Sequence, residues 1–144
     1  MHPTPGSWLG LAWLALAVAL ALHVLDEALT GFLSVYNPTV LAMKRKLSWF
    51  PMPVFTFVLW LAGLILGVGV MLALTPGAFS NAPWIRPLAY FLAVVMILNG
   101  LAHIAGTIFG RTVSSVRFRR PMPGFYSSPL LLWASIYLLC QLQH

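Results

Sequence analysis

The chain has 144 residues, of which 60% are hydrophobic and 7% charged, and its mean hydropathy is +0.91. A soluble domain carries roughly a quarter charged residues, so much of this surface must face something other than water, and lipid meets that need. The net charge of +6, from 8 basic and 2 acidic residues, would suit a nucleic-acid binder. That reading is excluded because the basic residues fall in two short clusters between apolar runs, as they do in juxtamembrane loops.

In chain order, the opening "MHPTPGSW" lacks the basic stretch of a secretory leader, and the apolar run behind it is long, so it reads as a retained span. About 20 apolar residues cross the hydrocarbon core of a bilayer. Four stretches meet that length, over residues 8–29, 52–74, 87–109 and 125–142. The expected fold is therefore all-α, a four-transmembrane-helix bundle in a single membrane domain. Prolines punctuate the gaps between spans, and Trp8, Trp49 and Trp84 stand near span ends, where an interfacial aromatic belt is expected.

The first span closes on "LALHVLDEALTGF", which holds the only two acidic residues, Asp26 and Glu27, three and four positions after His23. Those offsets put all three on one helix face. Each charge near mid-membrane costs roughly 2.5–3.5 kcal/mol, and less towards the interface. A helix merely ending in headgroup water would account for the carboxylates, but poorly for the histidine. Next comes "PTVLAMKRKLSWF", which fits a short interfacial helix and a plain basic loop equally well. The second span contains "GLILG" (Gly63, Gly67) and the third "GTIFG" (Gly106, Gly110), spacings that let helix backbones approach in lipid.

The third span also carries "NGLAHIAGT", with Asn99, His103 and Thr107 at four-residue intervals on one face. Taken alone, this pattern fits hydrogen bonds that hold a bundle together. The fourth span begins "MPGFYSSPLLLW". Tyr126, Ser127 and Ser128 there can border the same layer, with Tyr126 as a proton or hydrogen-bond donor, or they can be an interfacial tyrosine and capping serines before Pro129.

Orientation follows from Lys44, Arg45, Lys46, Arg111, Arg117, Arg119 and Arg120 on one side against Arg86 on the other. This asymmetry places both termini outside the cytoplasm. His23 lies about 15 residues into its span and His103 about 16 into its own, so at ~1.5 Å per residue they reach similar depth in the cytoplasmic half.

Imidazole and carboxylate together suit zinc, iron or manganese with positions left open. The expected ligands are His23, Glu27 and His103, with Asp26 as a fourth ligand or base and Asn99 and Thr107 beside the bound group. Without a metal the same groups can shuttle protons. The leading reading is a small membrane enzyme acting on a lipid-soluble substrate drawn from the bilayer. The alternatives are a haem- or pigment-binding or accessory subunit of a larger complex, and a proton-coupled carrier, which four spans would support only as an oligomer. The chain has no nucleophile elbow, phosphate-binding glycine loop or metalloprotease helix motif. Its single cysteine, Cys140, excludes an internal disulfide and a cysteine-based metal cluster.

"HVLDE", "NGLAHIAGT" and the late "PGFYSS" resemble the HXXEE-motif family of small bacterial membrane proteins, and the resemblance covers most of the chain. His23 and Glu27 match that motif directly, Asp26 replaces its first glutamate with a shorter side chain, and Asn99 and His103 resemble the family's later polar pair. The resemblance implies a four-helix protein of the bacterial plasma membrane without assigning it a reaction.

Overall fold

The structure, a computed structural model, describes residues 5–143. Helix α1 runs Pro5–Thr30, α2 Leu33–Lys46, α3 Phe57–Ala73, α4 Thr75–Phe79, α5 Ile85–Phe109 and α6 Ser128–Gln141. Strands β1 (Arg111–Val113) and β2 (Val116–Arg117) form an antiparallel hairpin between α5 and α6. Three helical stretches are long and apolar enough to cross a membrane: Trp8–Thr30, Phe57–Phe79 and Ile85–Phe109. The second of them combines α3 and α4, which turn into one another just before Pro76.

Where an 18-residue fourth span was expected over 125–142, α6 has 14 residues, about 21 Å at ~1.5 Å per residue. The physical reason lies in Met122–Ser127, which does not continue the helix. Gly124 adopts φ +84°, and the segment folds back against the polar ends of α1 and α5. Pro129 in the first turn then sets the helix start.

Helix α1 is the central element, packed against α3, α4 and α6, while α6 also lies along α5. Its buried stripe reads Leu9, Ala12, Trp13, Leu16, His23 and Glu27, spacings of three, four and seven that keep one face inward. On α5 the corresponding face is Ala89, Ala93, Gly100, His103 and Gly106. The lower part of each stripe is apolar and joins Leu131, Ala134 and Leu138 of α6 in the core. The upper part of each stripe is polar.

Close helix approach occurs at other glycines than the "GLILG" pair. Positions 63 and 67 have nothing within 4 Å of where a Cβ would stand, because α3 packs only along one edge and leaves that face outward. At Gly100, by contrast, a Cβ would lie 2.8 Å from Leu132 and 3.4 Å from the Ser128 carbonyl, so this glycine lets α5 and α6 meet. Gly110 ends α5 as a left-handed cap at φ +65°, and its neighbour is Arg120 of the following loop, not a helix.

The connection after α1 is helical. Gly31 takes φ +76° and Phe32 N–H bonds back to the Glu27 carbonyl at 2.9 Å, a Schellman closure that stops α1 one turn beyond Glu27. Helix α2 starts at Leu33, five residues before the proline of the "PTVLAMKRK" stretch. Asn37 holds it in place by donating to the Phe55 carbonyl (2.8 Å) and accepting from Phe55 N–H (3.0 Å). Its far face meets the hairpin, with Thr39 and Thr112 hydroxyls 2.5 Å apart.

Candidate functional site

His23, Glu27 and His103 come together at the polar end of the two stripes. All three are buried, and one ligand atom from each lies within 4.8 Å of the others. Glu27 Oε1 stands 3.1 Å from His103 Nε2 and 3.5 Å from His23 Nε2. The imidazole rings meet edge to face with centroids 4.8 Å apart.

The partners of the other ring nitrogens fix where the protons are. His103 Nδ1 bonds to the main-chain carbonyl of Pro123, which can only accept, so Nδ1 carries a proton. His23 Nδ1 lies 2.8 Å from Ser127 Oγ. That hydroxyl donates its one proton to Asp26 Oδ2 at 2.8 Å, so here too the imidazole Nδ1 is the donor. Asn99 Nδ2 lies 3.2 Å from His23 Nε2 and, as an amide donor, marks that nitrogen as the lone-pair carrier. In their neutral forms both histidines therefore turn an Nε2 lone pair towards the Glu27 carboxylate.

The Asn99 amide meets the His23 lone pair, but the His103 Nε2 lone pair and the Glu27 oxygen, 3.1 Å apart, repel unless a cation stands between them. A divalent metal ion supplies one, and a proton on Nε2 supplies another. Two imidazoles and one carboxylate, with each Nδ1–H directed to an acceptor, form a group that could hold a metal ion.

The sequence-predicted residues occupy distinct places. Asp26 turns away from the cluster and accepts from both Ser127 N–H (2.9 Å) and its hydroxyl (2.8 Å). Adjacent residues on a helix diverge by about 100°, so Glu27 and Asp26 cannot both point at one centre. Asp26 therefore reaches the cluster only through Ser127. Asn99 touches His23. Thr107 is one turn beyond the cluster, where its hydroxyl donates to the His103 carbonyl (2.9 Å) and accepts from Met122 N–H (2.9 Å). In that position it anchors the loop that carries Pro123. Tyr126 is 69% exposed and lies outside the cluster, packed edge-on against Phe125.

Ser127 stands where the sequence allows it, bordering the cluster, while Pro123 and Gly124 lie in the same "PGFYSS" stretch without a role that sequence alone assigns. At Gly124 a Cβ would lie 2.7 Å from His103 Cε1 and 2.9 Å from Glu27 Cγ. The loop can pass beneath the two side chains because this residue has none, and its φ of +84° favours glycine independently.

Phe32 closes the side towards α2, its ring 5.5 Å from that of His103 and 6.0 Å from that of Trp60. Beyond it lies an apolar cavity of about 320 Å³ lined by Tyr36, Met52, Phe55, Leu59, Trp60 and Gly63, among others. A haem held between His23 and His103 finds no room, since axial imidazoles must face one another across a planar ring. These rings are already in edge-to-face contact, and Glu27 Oε1 lies against the Nε2 of each.

The chain matches no protein-family model, no curated protein and no solved structure. The functional reading therefore rests on the cluster itself.

Proposed function

We propose that the protein is a small integral membrane enzyme that acts on a lipid-soluble substrate at a divalent metal ion held by His23 Nε2, Glu27 Oε1 and His103 Nε2. The observation that carries this reading is the fixed direction of both Nδ1–H groups, which leaves the two Nε2 atoms and one carboxylate oxygen converging inside an apolar bundle. Three protein ligands leave positions for water or substrate, and a bound ion of this kind polarises an oxygen placed there. The protein's own groups hold that geometry: Ser127 and Pro123 aim the imidazoles, Asp26 aims Ser127, and Phe32 shields the centre.

The substrate class follows from the surroundings. The apolar cavity beside Phe32 opens between α2 and α3, and α3 leaves most of its surface outward. Tyr36 at its rim donates to the Pro53 carbonyl at 3.0 Å, and burial raises its pKa, keeping it a neutral donor. An isoprenoid or acyl chain fits such a wall, with Phe32 and Trp60 between it and the ion.

In the proposed arrangement both termini lie outside the cytoplasm, and α6 completes a fourth crossing together with Met122–Ser127. Non-helical backbone is tolerated at membrane depth where protein covers it, and Met122, Pro123 and Gly124 are buried. The resemblance to the HXXEE-motif family is consistent with this reading. A homo-oligomer or a larger membrane complex would cover the remaining apolar surface.

Elemental analysis of the purified protein tests the metal. The expected result is about one zinc, iron or manganese ion per chain, lost in His103→Ala and in Glu27→Gln while both variants remain monodisperse. Equal and near-zero metal in all three proteins, even after addition of each ion, would remove the metal and leave the proton-bearing His103–Glu27 pair as the functional unit.

A further inference from the structure

The basic residues form a second candidate site, separate from the metal-ligand cluster. At the end of α5 a cavity of about 320 Å³ is lined by Phe109, Gly110, Arg111, Arg117, Phe118 and Arg120. Three of its six lining residues are arginines and none is acidic. The hairpin register brings the first two together, since Arg111 pairs with Arg117 across the strands. Arg120 is brought over Gly110, where a Cβ would lie 2.9 Å from its Nε.

Like charges this close repel, and folded proteins ordinarily interleave carboxylates to relieve it. This chain has none to spare. Its two acidic side chains are both engaged at the other site, Glu27 with the histidines and Asp26 with Ser127. Among the described residues no guanidinium of the three has a carboxylate partner or a side-chain hydrogen bond. All three are exposed, so the cavity presents an open fork of donors.

We propose that this cavity binds a phosphate group, with Arg111, Arg117 and Arg120 as its ligands. Planar guanidinium groups match phosphate oxygens two at a time. Phe109, 65% exposed at the end of a span, and Phe118 form an apolar border on the same cavity. The site thereby suits a phosphate with a hydrocarbon tail, the headgroup of an anionic lipid, while free phosphate shares the chemistry of the headgroup alone. Gly110 is seven residues beyond His103, about 10 Å along the helix axis. The proposal does not depend on a metal at the histidines.

The test uses the full chain in detergent, with phosphatidic acid as the probe, phosphatidylcholine as the zwitterionic control, and bound lipid counted by native mass spectrometry. One variant carries Arg111→Gln, Arg117→Gln and Arg120→Gln. A second removes as much charge outside the cavity, by Lys44→Gln, Arg45→Gln and Lys46→Gln. Phosphatidic acid should bind in preference to phosphatidylcholine and lose about tenfold or more in affinity in the first variant, against about twofold or less in the second. Equal losses in both variants, or no preference between the lipids, would overturn the proposal in favour of diffuse attraction. A third variant with the same arginines changed to lysine separates geometry from charge, and it should recover only part of the binding. Inorganic phosphate at millimolar concentration distinguishes the source. If it displaces the lipid and raises the melting temperature by as much, the ligand is free phosphate; if it does neither, the ligand is the lipid headgroup. The melting temperature without ligand, expected to be unchanged or raised because three exposed, mutually repelling side chains are neutralised, reports whether the first variant is folded.

Discussion

Gly124 passes so close to His103 that a single added methyl would stand 2.7 Å from the imidazole Cε1 and 2.8 Å from Nδ1. The Gly124→Ala variant should therefore push Pro123 away from His103 as well as strain the backbone at φ +84°. A loss of stability of about 1–3 kcal/mol is expected, together with reduced metal retention. Gly63→Ala is the matched control. Its Cβ meets nothing within 4 Å on α3, so it should be neutral or stabilising by up to ~1 kcal/mol, as alanine is in a helix. Thermal unfolding of the two variants in one detergent checks the contrast.

The helix repeat is enough to place His23 and Glu27 on one face, and equal depth in two parallel spans is enough to pair that face with His103. Both signals are periodic and survive in a bare sequence. For the imidazole partners, the sequence offers Ser127 as a residue bordering the layer, but not its bond to His23 Nδ1. Ser127 is 104 residues from His23, and Pro123 contributes a main-chain carbonyl that every residue possesses. Asp26 illustrates the cost of the same blindness: adjacency to Glu27 makes it look like a ligand, whereas a neighbouring position on the helix aims it at Ser127 instead. Likewise hydropathy continues through 125–142 without revealing that Met122–Ser127 is spent on lining the cluster.

Ser127 links Asp26 to His23, so removing its hydroxyl should act on the proposed metal ion without touching a proposed ligand. Ser127→Ala leaves His23 Nδ1–H without its acceptor and frees the ring to rotate. Metal affinity should fall by about 10–100-fold, the usual effect of losing a group that orients a ligating histidine. Asp26→Asn should fall in the same range, since an amide can no longer accept the Ser127 hydroxyl and N–H with full charge. Competition with a chromophoric chelator measures both. Unchanged affinity in Ser127→Ala would mean that the His23 ring is held by its packing alone.

Asn37 makes two main-chain bonds to Phe55, and with them it ties α2 to the start of α3. Asn37→Ala would leave the Phe55 N–H and carbonyl without these partners, at a cost of about 1–3 kcal/mol. The effect should be local. Hydrogen exchange is expected to quicken over residues 33–56, while the amides of α1 and α5 around His23 and His103 keep their protection. A uniform acceleration would instead show that α2 is integral to the core.

The distribution of basic residues predicts which ends of the helices share a side of the membrane, and the single native cysteine makes this simple to read. With Cys140 changed to serine, one new cysteine is placed either at Ser115, exposed in the hairpin beside the arginines, or at Asn81, in the turn after α4. Arg86 donates to Asn81 (3.2 Å) and to the Leu142 carbonyl (2.6 Å), so residue 81 and the end of α6 lie at the same end of the bundle. Seven basic residues lie in the two segments at the other end. In intact cells a membrane-impermeant maleimide should label the cysteine at 81 and reach the one at 115 only after the membrane is opened. The reverse pattern would invert the protein and turn the cluster of His23, Glu27 and His103 towards the outer face.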